Sequence, residues 1–376
     1  PPNRPCAMDS TFPAEPLLRA ATLDVDLGAV AANYRWFVDA AEGAACAACV
    51  KADAYGLGLT PVARTLWQAG CREFFVASVG EGVALRAVLP DALIYVLNGY
   101  LPTELPTLRT ARLLPVLNDP LQVAAFEADF PPGTPAALQI DSGMTRLGLD
   151  IGDLPALGPH WRRPGAIALL LSHLACAEDP RHPLSRTQLE RFRGAWQALG
   201  RPRASLANSS GVLLGPDWRF DLVRPGAGLY GLNPQPQRRN PLLPVVRLTA
   251  PVLQVRDIRE DTSVGYGASY RMTAPGRIAT VACGYADGYP RAASNRAAAL
   301  VDGRRVPLIG RLSMDLLMLD VSALPAGTPQ PGDAIELLGA GYDVDALAEA
   351  AGTIGYELLT HLGRLSRWRY HDAPGR

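Results

Sequence analysis

A chain of 376 residues that is 48% apolar and 19% charged can bury a sizeable core, which excludes disorder and suits two domains or one large barrel with an addition. Thirty-six basic residues balance thirty-six acidic ones, so no bulk field favours nucleic acid or an acidic membrane surface as a partner. No apolar run reaches the length that spans a bilayer.

Residues 1–16 lack a basic region followed by an apolar core, so no signal peptide and a cytoplasmic location are expected. A short alternating strand is predicted over 22–27, then an amphipathic helix over 28–41 with Val30, Tyr34 and Phe37 at helical spacing. Cys46 and Cys49 form a CxxC pair. Strand positions three apart point to opposite faces and no second pair follows, so no metal site is expected and all six cysteines are read as reduced thiols.

From there a rhythm sets in. Strand-like apolar runs fall at 45–50, 74–78, 92–97, 113–117, 137–140, 166–172, 204–207 and 221–223. Helical patterns fill most gaps, most clearly over 60–68, 80–88, 121–129 and 185–199. Eight alternating strand–helix units predict a parallel (β/α)8 barrel of the TIM type. A doubly wound open sheet is the alternative, weakened because no GxGxxG follows the first strand. In such a barrel the active residues lie just after the strand ends. Lys51, Tyr55, Asn98, Arg146, His173, Asn208, Ser209 and Arg224 all fall there.

From about residue 241 the pattern changes to short strands, at 250–258, 277–283, 316–321 and 334–338, closely punctuated by glycine and proline. Helices are expected over 344–351 and 356–362. The predicted division is a barrel over 18–242 and a mostly-β domain over 243–376, with residues 1–17 packing on the latter.

Lys51 follows at once on the first barrel run, and the glycines Gly56 and Gly58 come soon after, where the chain must turn. A buried amine gives up its proton readily and becomes a nucleophile that condenses with aldehydes. Elsewhere such a lysine usually snorkels to water, but its surroundings, Val50-Lys51-Ala52-Asp53-Ala54-Tyr55-Gly56, resemble the pyridoxal-phosphate lysine motif of the alanine racemase family. Further words follow in that family's order. They include Asp141-Ser142-Gly143-Met144-Thr145-Arg146, Ser172-His173-Leu174-Ala175, Ala207-Asn208-Ser209-Ser210 and Arg224-Pro225-Gly226-Ala227-Gly228. Beyond the barrel come Gly265-Tyr266-Gly267, Gly284-Tyr285-Ala286-Asp287, Ser313-Met314-Asp315 and Gly355-Tyr356-Glu357.

The resemblance implies a homodimeric racemase that interconverts L-alanine and D-alanine, a peptidoglycan precursor, by two bases with pyridoxal 5'-phosphate as electron sink. It implies that Lys51 holds the cofactor as an aldimine and serves the D-isomer, and that Tyr266 from the partner subunit serves the L-isomer. It assigns Arg224 to the pyridine nitrogen, with His173 bonded to it. Tyr55, Asn208, Ser209, Gly226, Ala227 and Tyr356 are assigned to the cofactor. From its position alone, Ser209 has a plain structural reading as the cap of a helix over 211–214, which is compatible with binding phosphate. Arg146 and Met314 are assigned to the substrate carboxylate, and Tyr285 with Tyr356 to a narrow gate. Gln139 stands where the family often has a carbamylated lysine. Its amide oxygen is expected to accept from Arg146, with no carbamate required. Leu57 and Gly355 also depart from the pattern. A broader-specificity racemase, a decarboxylase of the same architecture and a noncatalytic cofactor-binding barrel are the competing readings.

Overall fold

The structure, a computed structural model, describes residues 21–131, 133–365 and 367–371. Residues 1–17, expected to pack on the second domain, lie outside those. The first strand, β1 (Thr22–Asp26), alternates as its sequence requires, with Leu23 and Val25 buried between half-exposed neighbours. Asp26 then caps the helix Leu27–Ala40 by accepting from the Ala29 N–H at 2.8 Å.

Runs that are apolar at successive positions suit strands covered on both faces. The barrel strands are β2 (Ala45–Cys46) and β3 (Ala48–Cys49), which form one strand broken at Ala47, then β4 (Glu73–Val76), β5 (Leu93–Val96), β6 (Leu114–Leu117), β7 (Ala136–Gln139), β8 (Ile167–Leu171), β9 (Ala204–Ser205) and β10 (Leu222–Val223). β3 to β9 pair in sequence order as a parallel sheet, and β10 pairs in parallel with β2. Hydrogen bonds from Asp221 N to Ala204 O (3.0 Å) and from Arg224 N to Ala207 O (2.9 Å) close the ring between β9 and β10. All eight expected strand runs are present.

Phe75 and Tyr95 stack inside the barrel with ring centroids 4.5 Å apart, among Val116, Leu169, Leu171 and Leu222. The floor is closed by Glu73, which accepts from both terminal nitrogens of Arg203 (2.7 and 2.8 Å) and from the Tyr95 hydroxyl (3.1 Å). With interior and floor filled, open space remains at the C-terminal rim.

The second half is built on β11 (Val246–Ile258), β12 (Thr262–Val264), β13 (Tyr270–Met272), β14 (Gly276–Val281), β15 (Ala298–Val301), β16 (Arg304–Ile309), β17 (Leu317–Asp320), β18 (Ala334–Leu338) and β19 (Arg367–His371). The long β11 pairs first with β18 and then, from Val252 and across a bulge before Gln254, with β14, so six strands close on themselves. β1 pairs antiparallel with β11 and parallel with β19. It therefore joins this sheet rather than the barrel. β12 and β13 form a hairpin seated on a small separate core of Ile258, Val264, Met272, Ile278 and Ile309. Helices Val344–Ala351 and Gly355–Leu365 complete the chain's regular structure. Among the described residues no helix is long and apolar enough to cross a membrane.

Candidate active site

A cavity of 650 Å³ opens at the C-terminal rim of the barrel. Every residue expected to touch the cofactor lines it: Lys51, Tyr55, Arg146, His173, Asn208, Ser209, Arg224, Gly226, Ala227 and Tyr356. The first nine come from the barrel, and Tyr356 comes from the helix Gly355–Leu365.

Lys51 follows β3 directly. The next four residues, Ala52, Asp53, Ala54 and Tyr55, all have positive φ, between 53° and 57°, and make one left-handed turn. Its apolar side is held by Tyr55, whose ring lies 4.7 Å from Tyr230 and 6.1 Å from Tyr356. Tyr230 in turn donates to Cys49 O at 2.9 Å. Burial pushes the Tyr55 phenol well above the ordinary range and the Tyr356 phenol up to about 12, so both keep their protons at neutral pH.

The Ser209 hydroxyl accepts from the Gly226 and Gly228 N–H groups at 3.0 and 3.2 Å. It is not the helix cap expected of it. Asn208 takes that part, accepting from the Gly211 N–H at 2.9 Å at the start of a 3-10 turn, Gly211–Leu214. A Cβ at Gly226 would lie 2.4 Å from the Tyr55 oxygen, so a larger residue there would force the Tyr55 ring to shift. The Ala227 N–H makes no hydrogen bond among the described residues and is left for a guest.

Arg224 is 4% exposed. Its guanidinium donates to the Ser205 hydroxyl and to Ser172 O, the latter at 2.6 Å, and lies 5.7 Å from the Phe75 ring centre. Burial lowers its pKa to about 10, which still leaves it charged at neutral pH. The expected bond between His173 and Arg224 is not among those of the described residues. His173 is held instead through its backbone, its carbonyl accepting from Gln188 Nε2 at 2.8 Å. Burial, with Arg224, Arg146 and Lys51 adding to it, lowers the His173 pKa to about 3, so the ring is neutral.

Arg146 sits in a loop shaped by Asp141, whose Oδ1 accepts from the Gly143, Met144 and Thr145 N–H groups at 2.8, 2.8 and 3.1 Å. Burial alone would raise the Asp141 pKa, but these three bonds overturn that and hold it below the usual carboxylate range. Gln139 is buried beneath the loop and donates to Leu147 O at 2.9 Å. Arg146 makes no hydrogen bond or ion pair among the described residues, so the bond expected between it and Gln139 is not formed.

Tyr266, Tyr285 and Met314 do not line the cavity. They stand on the second half, 68%, 41% and 59% exposed. Tyr285 and Met314 share one surface, since Tyr285 N donates to Ser313 O (3.2 Å) and Ala286 N to Met314 O (2.8 Å). Tyr266 tops the β12–β13 hairpin, against the loop that carries Arg311.

Lys51, Arg146 and Arg224 face only one carboxylate, Glu357, among the lining residues, so the cavity suits an anionic guest. Lys51 is also the sole lysine in the chain, the other thirty-five basic residues being arginine. That singularity is itself legible in the sequence. Glu81, Gln188, Ser205 and Tyr230 brace the site and were not foreseen. Only Glu81 had a local sign, its spacing from Ser78. Among the described residues no three His, Cys, Asp or Glu side chains are grouped to hold a metal.

The model of the alanine racemase N-terminal domain matches residues 25–234, and that of the alanine racemase C-terminal domain matches residues 245–370. The chain is similar to an alanine racemase from Methylobacterium sp. (strain 4-46), 47% identical over 356 residues, covering 94% of this chain and 98% of that one. It is also similar to a catabolic alanine racemase from Mesorhizobium japonicum, 46% identical over 372 residues, covering 97% and 96%. Among solved structures, the biosynthetic alanine racemase of Pseudomonas aeruginosa matches with a TM-score of 0.88 at 39% identity, covering 94% of this chain and 100% of that one. The alanine racemase of Bartonella henselae, with covalently bound pyridoxal phosphate, matches with a TM-score of 0.87 at 37% identity, covering 94% and 99%.

Proposed function

This chain belongs to the alanine racemase family and is an amino-acid racemase, and we propose that it interconverts L- and D-alanine with pyridoxal 5'-phosphate held in the cavity at the barrel rim. One observation carries the reading. The chain's sole lysine lines a cavity whose other charges are two guanidinium groups and a single carboxylate, a donor set matched to an aldehyde that bears a phosphate. The free Ala227 N–H, the hydroxyls of Tyr55 and Tyr356 and the space kept open by Gly226 fit the phosphate end.

Bound there, the cofactor supplies the sink for the electron pair left when the Cα proton departs. The chain supplies the rest. Lys51 would hold the group through Nζ, and the same amine would move the proton on the face that serves D-alanine. Tyr266 from a second copy of the chain moves it on the face that serves L-alanine. Arg224 would face the pyridine nitrogen and, still charged at neutral pH, would have no site to accept a proton from it. Neutral His173 adds no further charge. Arg146 binds the substrate carboxylate together with the Met314 backbone of the second copy, and Tyr285 and Tyr356 narrow the entrance against longer side chains. Gln139 stays an unmodified amide, so intact mass should show no added CO2.

The deciding experiment incubates the protein with cofactor and each alanine isomer in deuterated water. Loss of optical rotation with deuterium uptake at Cα is expected from both isomers. Decarboxylation, or exchange with retention of configuration, would overturn the reading. Tyr266→Phe should slow exchange from L-alanine far more than from D-alanine.

A further inference from the structure

Ser78 and Glu81 have the spacing of a capping box, in which the glutamate normally returns to the backbone N–H of the capping residue. Ser78 does cap the helix Val79–Val88, accepting from the Glu81 N–H at 3.3 Å. The Glu81 carboxylate goes elsewhere. Oε2 accepts from the Ala77 N–H at 2.7 Å, and Oε1 crosses to the Ala52 N–H at 2.8 Å. Ala52 directly follows Lys51 and is the first of the four left-handed residues.

Left-handed non-glycine residues are individually unfavourable, and a run of four holds only where its surroundings fix it. The middle and end of this turn are fixed locally, by Ala54 N to Val50 O (2.9 Å), Gly56 N to Ala52 O (2.8 Å) and Leu59 N to Asp53 Oδ1 (2.6 Å). Among the described residues, the N–H at its start is bound by Glu81 alone. That N–H belongs to the peptide plane shared with Lys51, and so sets how the lysine leaves the backbone. Ala52 and Ala77 line the cavity while Glu81 does not. The carboxylate therefore acts from behind, tying the ends of β3 and β4 at the point where the nucleophile emerges.

We propose that Glu81 is a positioning residue for the racemase reaction, fixing the Lys51 peptide through its bond to the Ala52 N–H. This rests on the assignment of Lys51 made above. Glu81→Gln keeps one accepting oxygen and turns an NH2 toward the other N–H, so one bond is lost and two donors are opposed. A misplacement of this kind should lower kcat by about tenfold to a hundredfold, with a smaller change in KM.

A second readout needs no cofactor. Because Lys51 is the chain's sole ε-amine, its reaction with cyanate in the cofactor-free protein can be followed site-specifically by peptide mass spectrometry across pH. Glu81→Gln should shift both rate and pH profile. Ser78→Ala, which uncaps the same helix, should lower Tm and leave the profile as in wild type. Glu81→Asp should restore part of the wild-type behaviour, and it decides the matter if the Gln variant does not fold. A Glu81→Gln protein, or an Asp variant in its place, with wild-type labelling and kcat overturns the proposal. Failure of borohydride to fix the cofactor on Lys51 in the wild-type chain would instead overturn the assignment of Lys51 itself.

Discussion

A guanidinium taken out of water must find acceptors, and Arg224 finds the Ser205 hydroxyl and the Ser172 carbonyl. Ser205→Ala leaves one of its N–H groups buried and unpaired, and should cost about 2–3 kcal/mol in urea unfolding. Ser205→Thr keeps the hydroxyl and should recover most of that. A loss under about 0.5 kcal/mol for the alanine variant would show that the bond contributes nothing. His173 gives a pH signature. Its pKa is lowered from 6.5 to about 3 in the folded chain. Between those values the unfolded chain binds a proton that the folded chain refuses, so stability falls as pH falls through this window. The slope is at most about 1.4 kcal/mol per pH unit. Urea titrations of the cofactor-free protein at neutral and mildly acid pH should show a shallower acid loss for His173→Asn than for wild type.

The elements divide by how far their burial shows in sequence. Barrel strands such as β4 and β8 are apolar at successive positions because both faces are covered. The helices between them carry one apolar face, so both were legible. β15 and β16 were not. They are short, and β16 opens on two exposed arginines. Yet Asp302-Gly303, both at positive φ, joins Val301 to Arg304 in a two-residue hairpin, a turn signal that the sequence did contain. Side-chain hydrogen bonding was less legible still, because it depends on which backbone groups happen to be free. Asn208 and Ser209 are neighbours in one motif, yet the cap fell to Asn208, and Ser209 was drawn to two N–H groups seventeen and nineteen residues away. Asp141 shows how such local bonding reaches function. Three N–H groups on one carboxylate oxygen fold the loop that presents Arg146. Asp141→Ala should therefore raise KM for alanine several-fold, with a stability loss of about 1–2 kcal/mol, while Asp141→Asn, which keeps the acceptor, should do little.

At the scale of the molecule, the proposed two-base reaction would divide the site between two copies of the chain. The cavity is lined by the lysine, two guanidinium groups and donors for an anion, and Tyr266 is not among its lining residues. Tyr266, Tyr285 and Met314 stand exposed on the second half. If a second copy of the chain covers them, as proposed above, a two-fold pairing makes each exchange reciprocal. If each site takes its lysine from one chain and its tyrosine from the other, Lys51→Ala and Tyr266→Phe are each inactive alone but complementary when mixed. In a hybrid dimer one site carries both substitutions and the other carries neither. Equal mixing after reversible dissociation makes half the dimers hybrids, so about a quarter of wild-type activity should return. Sites built within one chain would return nothing, since every site would keep a defect. A single-chain variant carrying both substitutions, mixed with wild type, supplies the control. Its hybrids contain two sites with one defect each, so activity should fall to about a quarter of the starting sites rather than the half expected of independent ones.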